Sequence, residues 1–326
     1  MAFPTETVYG LGGDAFNPAA LAGIFEAKGR PHFDPLIVHL ADAGDLEKVA
    51  DLSLLDTDAR KKLALLAGAF WPGPLTLVLP KQKAIPDLAT SGMPTVAVRI
   101  PDHDSARRLI ALSTGAVAAP SANPFGYISP TMAEHVAEML GEKVDMILDG
   151  GPSRVGVEST VLDICNGQPA VLRPGGTATE AIEALIGPLA ASPAGKAGNA
   201  GLPSPGMLKS HYAPRSPLAV HDGESIRGLA PSEKDLAAFL FFDGDSRDAW
   251  LSGHSPGKGM GDKAATIAVL SETGNLREAA ARLFQTLHEL DRLGPKRIHA
   301  QLAPEEGLGR AINDRLRRAG SATTTA

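Results

Sequence analysis

Apolar positions recur along this chain in two rhythms, one helical and one of short unbroken runs. Leu21, Ile24, Phe25 and Lys28 fall at helical spacing behind Asn17-Pro18. Asn17 supplies a capping acceptor, Pro18 suits the first helical position, and Gly29 suits a left-handed stop. Residues 47–70 are rich in Ala, Leu and Lys and predict a mostly helical stretch, and a further helix is expected over 131–140 with Thr131 near its cap. Apolar runs at 36–40, 75–79, 95–100 and 144–148 predict short buried strands. Residues 159–164 and 170–173 flank Asn166-Gly167, a dipeptide suited to a tight hairpin turn. Strands alternating with helices, plus a hairpin, imply an α/β sheet of mixed direction.

The rhythm breaks at 187–206, where Ala, Gly, Ser and Pro dominate. Such a composition cannot bury a core and reads as a linker. Beyond it a second α/β pattern begins. Residues 218–221, 236–242, 266–270 and 298–302 predict strands, and Leu276, Ala280, Leu283, Leu287 and Leu290 line one helix face. Residues 308–319 predict a basic terminal helix whose Arg310, Arg315, Arg317 and Arg318 read most simply as a solvated surface, and residues 321–326 are expected to fray. No repeat of fixed period appears. The expected organisation is an α/β domain over 1–186, a linker over 187–216, and a smaller α/β domain over 217–326.

Composition narrows the class. With 44% hydrophobic and 21% charged residues over 326 positions, the chain is of ordinary globular type. Its 31 basic and 37 acidic residues give a formal charge of -6, which excludes a broadly basic nucleic-acid clamp but not a small cationic pocket. Cys165 is the only cysteine, so no intrachain disulfide can form and a reducing compartment fits. No run approaches the roughly 20 apolar residues of a membrane span, and no basic, cleavable leader opens the sequence. A cytoplasmic protein is expected.

Three local patterns could carry chemistry. Lys28-Gly29-Arg30 could grip phosphates, although cations in a helix's last turn also complement its dipole, and locally that structural role is favoured. Ser121-Ala122-Asn123 sits between prolines, where it could approach a ligand or simply turn the chain. Gly10 to Ala15 fits a relaxed dinucleotide fingerprint, but the helix opens at Asn17-Pro18, too late for that reading. Arg99 and Arg173 each end a strand before a proline, and His39 lies in a buried-looking strand. No metalloprotease helix motif, paired Cys-x-x-Cys or Gly-x-Ser-x-Gly occurs.

Taken in order these pieces acquire a meaning that none has alone. Residues 3–11, Phe-Pro-Thr-Glu-Thr-Val-Tyr-Gly-Leu, resemble the opening of the YrdC-like threonylcarbamoyl-AMP synthase family. Lys28-x-Arg30 with Ser121-x-Asn123 resembles that family's K-x-R and S-x-N signature. Pro35-Leu36-Ile37-Val38-His39, Trp71-Pro72-Gly73-Pro74-Leu75-Thr76, Thr95-Val96-Ala97-Val98-Arg99, Gly156-Val157-Glu158-Ser159-Thr160 and Leu172-Arg173-Pro174-Gly175 follow in matching order. Ser204-Pro205-Gly206-Met207 and His211-Tyr212-Ala213-Pro214 are similar to the linker of the two-domain form. Gly307-Leu308-Gly309 with Asp314-Arg315-Leu316 resembles its C-terminal domain. The resemblance implies a catalytic domain over 1–186 built as a twisted mixed sheet with helices, a linker over 187–216 that serves as a lid, and a smaller Rossmann-like α/β domain over 217–326.

It also implies a reaction, in which L-threonine, bicarbonate and ATP give threonylcarbamoyl-AMP and pyrophosphate. The product passes to a separate transferase system that modifies tRNA beside the anticodon. Carried over by position, Lys28 and Arg30 act catalytically on the phosphates, with Mg²⁺ accompanying ATP. Asp34, Thr95, Ser121, Asn123, Ser129, Arg173 and Tyr212 complete the nucleotide side, and Thr7, His39, Arg99, Ala119 and Ser159 form the threonine side. Arg99 is the expected fork for the substrate carboxylate.

Two departures accompany the match. Asp34 stands where the family usually has Asn, and a carboxylate there would repel phosphates unless it meets Mg²⁺ or a base edge. The family also carries a helix and the start of a strand before the Phe-Pro-Thr-Glu-Thr motif, so a start assigned too late, or a truncated chain, is expected. Competing readings are a non-catalytic RNA-binding module, a nicotinamide-dependent oxidoreductase built on Gly10 to Ala15, and a domain carbamoylating another acceptor.

Overall fold

The structure is a computed structural model, and it describes residues 1–190, 211–230, 236–254 and 266–321. Most of the expected linker, at 191–210 and including the Ser204-Pro205-Gly206-Met207 motif, and the tail after Ser321 lie outside the described residues. The chain divides into two compact units. One comprises Met1–Phe125 with Ser129–Met207, and the other Gly126–Ile128 with Leu208–Ala326.

Among the described residues the first unit holds nine strands: β1 Ala2–Phe3, β2 Gly10–Leu11, β3 Gly13–Asp14, β4 Ile37–Leu40, β5 Leu75–Pro80, β6 Thr95–Arg99, β7 Ala116–Ala118, β8 Thr160–Asp163 and β9 Ala170–Arg173. Six helices accompany them: α1 Pro18–Lys28, α2 Thr57–Phe70, α3 Asp87–Thr90, α4 Asp104–Leu112, α5 Ala133–Leu140 and α6 Thr179–Ile186. Seven strands form one sheet in the order β3-β7-β4-β6-β5-β8-β9. Its pairs β4–β6 and β5–β8 are parallel and the other four antiparallel, so the sheet is mixed as the sequence implied. Val38, Leu40, Leu75, Leu77, Leu79, Val96 and Val98 are buried in one large cluster with Leu21, Ile24 and Phe25 of α1. Burying such side chains contributes roughly 1.5–3 kcal/mol each before entropy is charged against it.

Local chemistry sets the ends of α1 as expected. Asn17 Oδ1 accepts from Ala19 N at 2.9 Å, and Gly29, at φ 61, lets the chain leave the helix toward Arg30. Residues 47–70 are mostly helical as expected, but in separate pieces, and one expectation further on is corrected. Asp51 and Asp56 each accept from a downstream backbone N–H, and the second of these caps starts α2 only at Thr57. Residues 144–148 are not a strand. Only Ile147 bridges, to Ala2, because the partner β1 is two residues long, and Met146 stays 59% exposed.

In the second unit β10 Leu218–His221, β11 Ala237–Asp243, β12 Thr266–Ser271 and β13 Arg297–Gln301 form an all-parallel sheet in the order β10-β13-β11-β12. Helices α7 Gly223–Arg227, α8 Gly244–Gly253, α9 Leu276–Arg292 and α10 Gly309–Gly320 complete it. Phe239, Phe241 and Trp250 pack together, and the amphipathic α9 buries Leu283, Phe284, Leu287 and Leu290. Gly126–Ile128 belongs here, with Tyr127 bridging Ala213 and donating to the carboxylate of Asp291. Arg315 corrects the picture of a solvated terminal helix. It is fully buried, paired with Asp314 at 2.7 Å and lying over the Tyr212 ring at 5.1 Å.

Candidate active site

Residues 5–11 make a compact turn. Thr5 Oγ1 donates to Val8 O at 2.6 Å and accepts from the Thr7 and Val8 backbone. The segment beyond it is stitched to the Ser-Ala-Asn loop, with Leu11 N donating to Pro120 O and Ala122 N donating to Tyr9 O, each at 2.8 Å. Glycine is needed nearby, because a Cβ at Gly12 would stand 2.7 Å from the Phe3 ring.

Lys28 reaches the same loop from α1. Its buried ammonium donates to Ser121 O at 2.6 Å and to Asn123 O. Burial, and then Arg30, hold its pKa well below the usual lysine range, while Asp34 and Glu158 oppose that shift. Arg30 is likewise built into its surroundings. Its Nε donates to Asp34 O at 3.0 Å, and one Nη donates to Pro35 O at 2.8 Å and pairs with the Asp34 carboxylate at 2.9 Å. The unusual Asp34 thus meets a cation of its own chain.

A second group gathers on the sheet. His39 of β4 and Arg99 of β6 are register partners on parallel strands. Arg99 donates from Nη1 to Thr7 Oγ1 at 2.8 Å and from Nε to Gly73 O at 3.2 Å. Its Nη2 lies 2.6 Å from Glu6 Oε2, an ion pair with both side chains under 5% exposed. Ala119 follows β7, held by its N–H on Ile37 O at 2.9 Å. His39 is buried against Arg99, and burial first, then that guanidinium, lowers its pKa to about 3.

Glu158 and Ser159 are consecutive, and Glu158 lies close enough to Lys28 to act on its charge. Ser129 Oγ donates to Glu158 Oε1, and Ser159 Oγ shares a hydrogen bond with Thr76 Oγ1 at 2.7 Å. Arg173 of β9 donates to Ser159 O at 2.9 Å. Gly175 makes this crossing possible. A Cβ there would fall 2.3 Å from both Glu158 O and Ser159 C, backbone that cannot yield cheaply. Gly175→Ala is expected to cost about 3 kcal/mol of unfolding free energy, measured by urea denaturation.

The structure therefore brings Lys28, Ser121 and Asn123 into contact, Arg30 onto Asp34, Thr7 and His39 beside Arg99, and Ser159 onto Arg173. Ser129 joins through Glu158. Thr95 sits half-buried at the start of β6, opposite Pro80. Tyr212 lies in the second unit, buried at φ 64 beside Phe284 and Arg315. Sequence reasoning assigned no role to Glu6 or Glu158, although both stand inside the quoted motifs. A cavity of about 550 Å³ lined by Met1, Gly12, Gly13, Ile24 and Lys143 contains none of the candidate residues.

The depressed His39 pKa has a consequence for acid stability. The unfolded chain protonates this histidine near its ordinary value of 6.5, while the folded chain resists until about 3. The unfolded state then binds more protons in that window, so stability is lost as pH falls through it. Between about pH 6.5 and pH 5, this one group is expected to remove about 2 kcal/mol. His39→Gln should flatten the acid limb of a urea-midpoint titration by that amount.

Fold and cluster together define a two-unit α/β protein whose first unit gathers buried cations and hydroxyls from remote segments of the chain. The family model described as "Telomere recombination" matches residues 1–175. The model described as "Threonylcarbamoyl-AMP synthase, C-terminal domain" matches residues 177–321. The chain belongs to this Sua5/YciO/YrdC family, in its two-domain form. It is 43% identical to the threonylcarbamoyl-AMP synthase of Pyrococcus abyssi over 98% of this chain and 89% of that one. With the Bacillus subtilis protein of the same name it shares 42% identity over 98% and 88%. The crystal structure of P. abyssi Sua5 complexed with L-threonine superposes with a TM-score of 0.84 at 40% identity, covering 99% of this chain and 90% of that one. No helix among the described residues is long and apolar enough to cross a membrane.

Proposed function

We propose that this chain is a nucleotidyltransferase, an L-threonylcarbamoyladenylate synthase acting in the cytoplasm on L-threonine, bicarbonate and MgATP. The supporting observations are the Lys28 contacts to Ser121 and Asn123 and the Thr7–His39–Arg99 group, both within the first unit of a chain related over nearly its whole length to synthases of that name. Mg²⁺ enters as part of the nucleotide substrate rather than as a resident ion.

The threonine amine condenses with bicarbonate, forming a C–N bond and releasing water, to give a carbamate whose oxygen attacks the α-phosphate and expels pyrophosphate. Catalysis of this kind rests on positioning and on charge stabilisation. Lys28 and Arg30 supply positive charge to the phosphates, and Ser121, Asn123, Ser129 and Arg173 hold the nucleotide. Asp34 tempers Arg30 rather than opposing the nucleotide directly. Arg99 and Thr7 hold the threonine carboxylate and hydroxyl, and a neutral His39 offers a hydrogen bond without added charge. Thr7, His39, Arg99 and Ser159 are all buried, so admission of an amino acid requires local opening, and reclosure excludes water from the carbamate and the mixed anhydride. The product then passes to a separate transferase acting on tRNA.

Pyrophosphate release from ATP, with threonine and bicarbonate omitted in turn, tests this reading. Release is expected only when both are present, and release indifferent to threonine would defeat it. Arg30→Ala should raise the KM for ATP at least about tenfold, through a lost charge-assisted phosphate contact.

A further inference from the structure

Glu6 is 1% exposed, yet neither carboxylate oxygen accepts a well-directed hydrogen bond. Its only charge partner among the described residues is Arg99, 2.6 Å away, and the Arg99 Nη2 facing it is equally without a well-directed acceptor. Arg99 carries five N–H donors. Gly73 O takes the one on Nε and Thr7 Oγ1 takes one on Nη1. A fully buried pair left in this state is costly, because low dielectric magnifies every unmet valence. The pair has no net charge, but Arg99 Nη2 lacks a well-directed acceptor and both Glu6 carboxylate oxygens lack a well-directed donor.

One class of ligand supplies both at adjacent atoms: an α-amino acid in its zwitterionic form. Its carboxylate meets the unmet Arg99 donors, and its ammonium meets Glu6. Together with the Arg99–Glu6 contact, the four charges then alternate in sign around a closed ring, and no uncompensated charge is buried. We infer that Glu6 is a specificity-determining residue that recognises the ammonium group of the amino-acid substrate. Thr7, next in sequence and already bonded to Arg99, leaves the threonine hydroxyl a partner within the same turn.

This inference rests on the threonine-binding reading above, and one experiment separates the two. Binding of L-threonine and of 2,3-dihydroxybutyrate, its analogue with hydroxyl in place of ammonium, is measured by calorimetry on the full chain and on Glu6→Gln. The wild-type chain should bind the analogue at least about 100-fold more weakly than threonine, because a buried carboxylate would be left facing a neutral hydroxyl. Glu6→Gln should bind threonine at least about 30-fold more weakly, while its affinity for the analogue holds or improves as Arg99 is freed from its counter-ion. A purely structural Glu6 would weaken both ligands alike, and that result overturns the inference. So does wild-type binding that ignores the missing ammonium, a comparison that needs no variant to fold. Wild-type protein that binds neither ligand would instead sink the proposed function, and this inference with it.

Discussion

Arg99→Met should lower the unfolding free energy by about 3–5 kcal/mol, because it strands the Glu6 carboxylate in the interior without a counter-ion. The guanidinium engages three groups from two remote segments: Glu6 and Thr7 of the N-terminal turn, and the Gly73 carbonyl after the cis Trp71-Pro72 bond. Removing it leaves buried acceptors at all three, which is far more disruptive than trimming an exposed arginine. The stranded charge is the dominant part, so adding Glu6→Gln to Arg99→Met should restore more than half of the loss. Urea denaturation of the two single variants and the double variant completes the cycle. A change within about 0.5 kcal/mol for Arg99→Met, the usual range for surface substitutions, would contradict the buried-pair account.

Lys28→Met should reduce threonine-dependent pyrophosphate formation by about 100- to 1000-fold, the scale seen when a preorganised electrostatic contact to a transition state is removed. Two effects combine. The variant loses a positive charge proposed to face the phosphates, and it cuts the link that ties α1 to Ser121 and Asn123. Lys28→Arg should rescue little, since a planar fork cannot place one compact donor centre between two carbonyl oxygens. Steady-state rates at saturating ATP distinguish these effects from weakened nucleotide binding. Retention of a third or more of the wild-type rate in Lys28→Met would show that the ammonium serves packing alone.

The fold was legible wherever the pattern and its punctuation agreed. Asn17-Pro18 and Gly29 bound a helix whose apolar positions face one core, and Asn166-Gly167 joins two antiparallel strands with Gly167 at φ 77. It was less legible where caps interrupt a helical composition, as Asp51 and Asp56 do, and where a strand-like run has too short a partner, as at residues 144–148. The amphipathic α4 escaped notice although Ala106 and Ile110 are fully buried, because it is short and its N-cap, His103, makes no side-chain capping bond.

Parts of the candidate site, Lys28 with Ser121 and Asn123 and Thr7 and His39 with Arg99, were legible as residues and illegible as contacts. Nothing near Lys28 in sequence says that its ammonium reaches carbonyls 93 and 95 positions away. Read locally, it is a helix-terminal cation, and only the stitching of residues 9–11 to residues 120–122 converts it into a clamp. Glu6 passed unremarked for the same reason. Its importance lies in Arg99, a strand-end residue from a distant segment, and in the interior position that leaves the pair little else to bond.

The account turns on nucleotide and amino acid being joined within one cluster of the first unit. The most direct measurement is mass spectrometry of the reaction mixture after incubation with ATP, L-threonine and ¹³C-labelled bicarbonate. The account predicts an adenylate that contains threonine and a single labelled carbon, absent whenever threonine is withheld. Nucleotide cleavage that yields no threonine-containing adenylate, or an adenylate carrying no label, would contradict it.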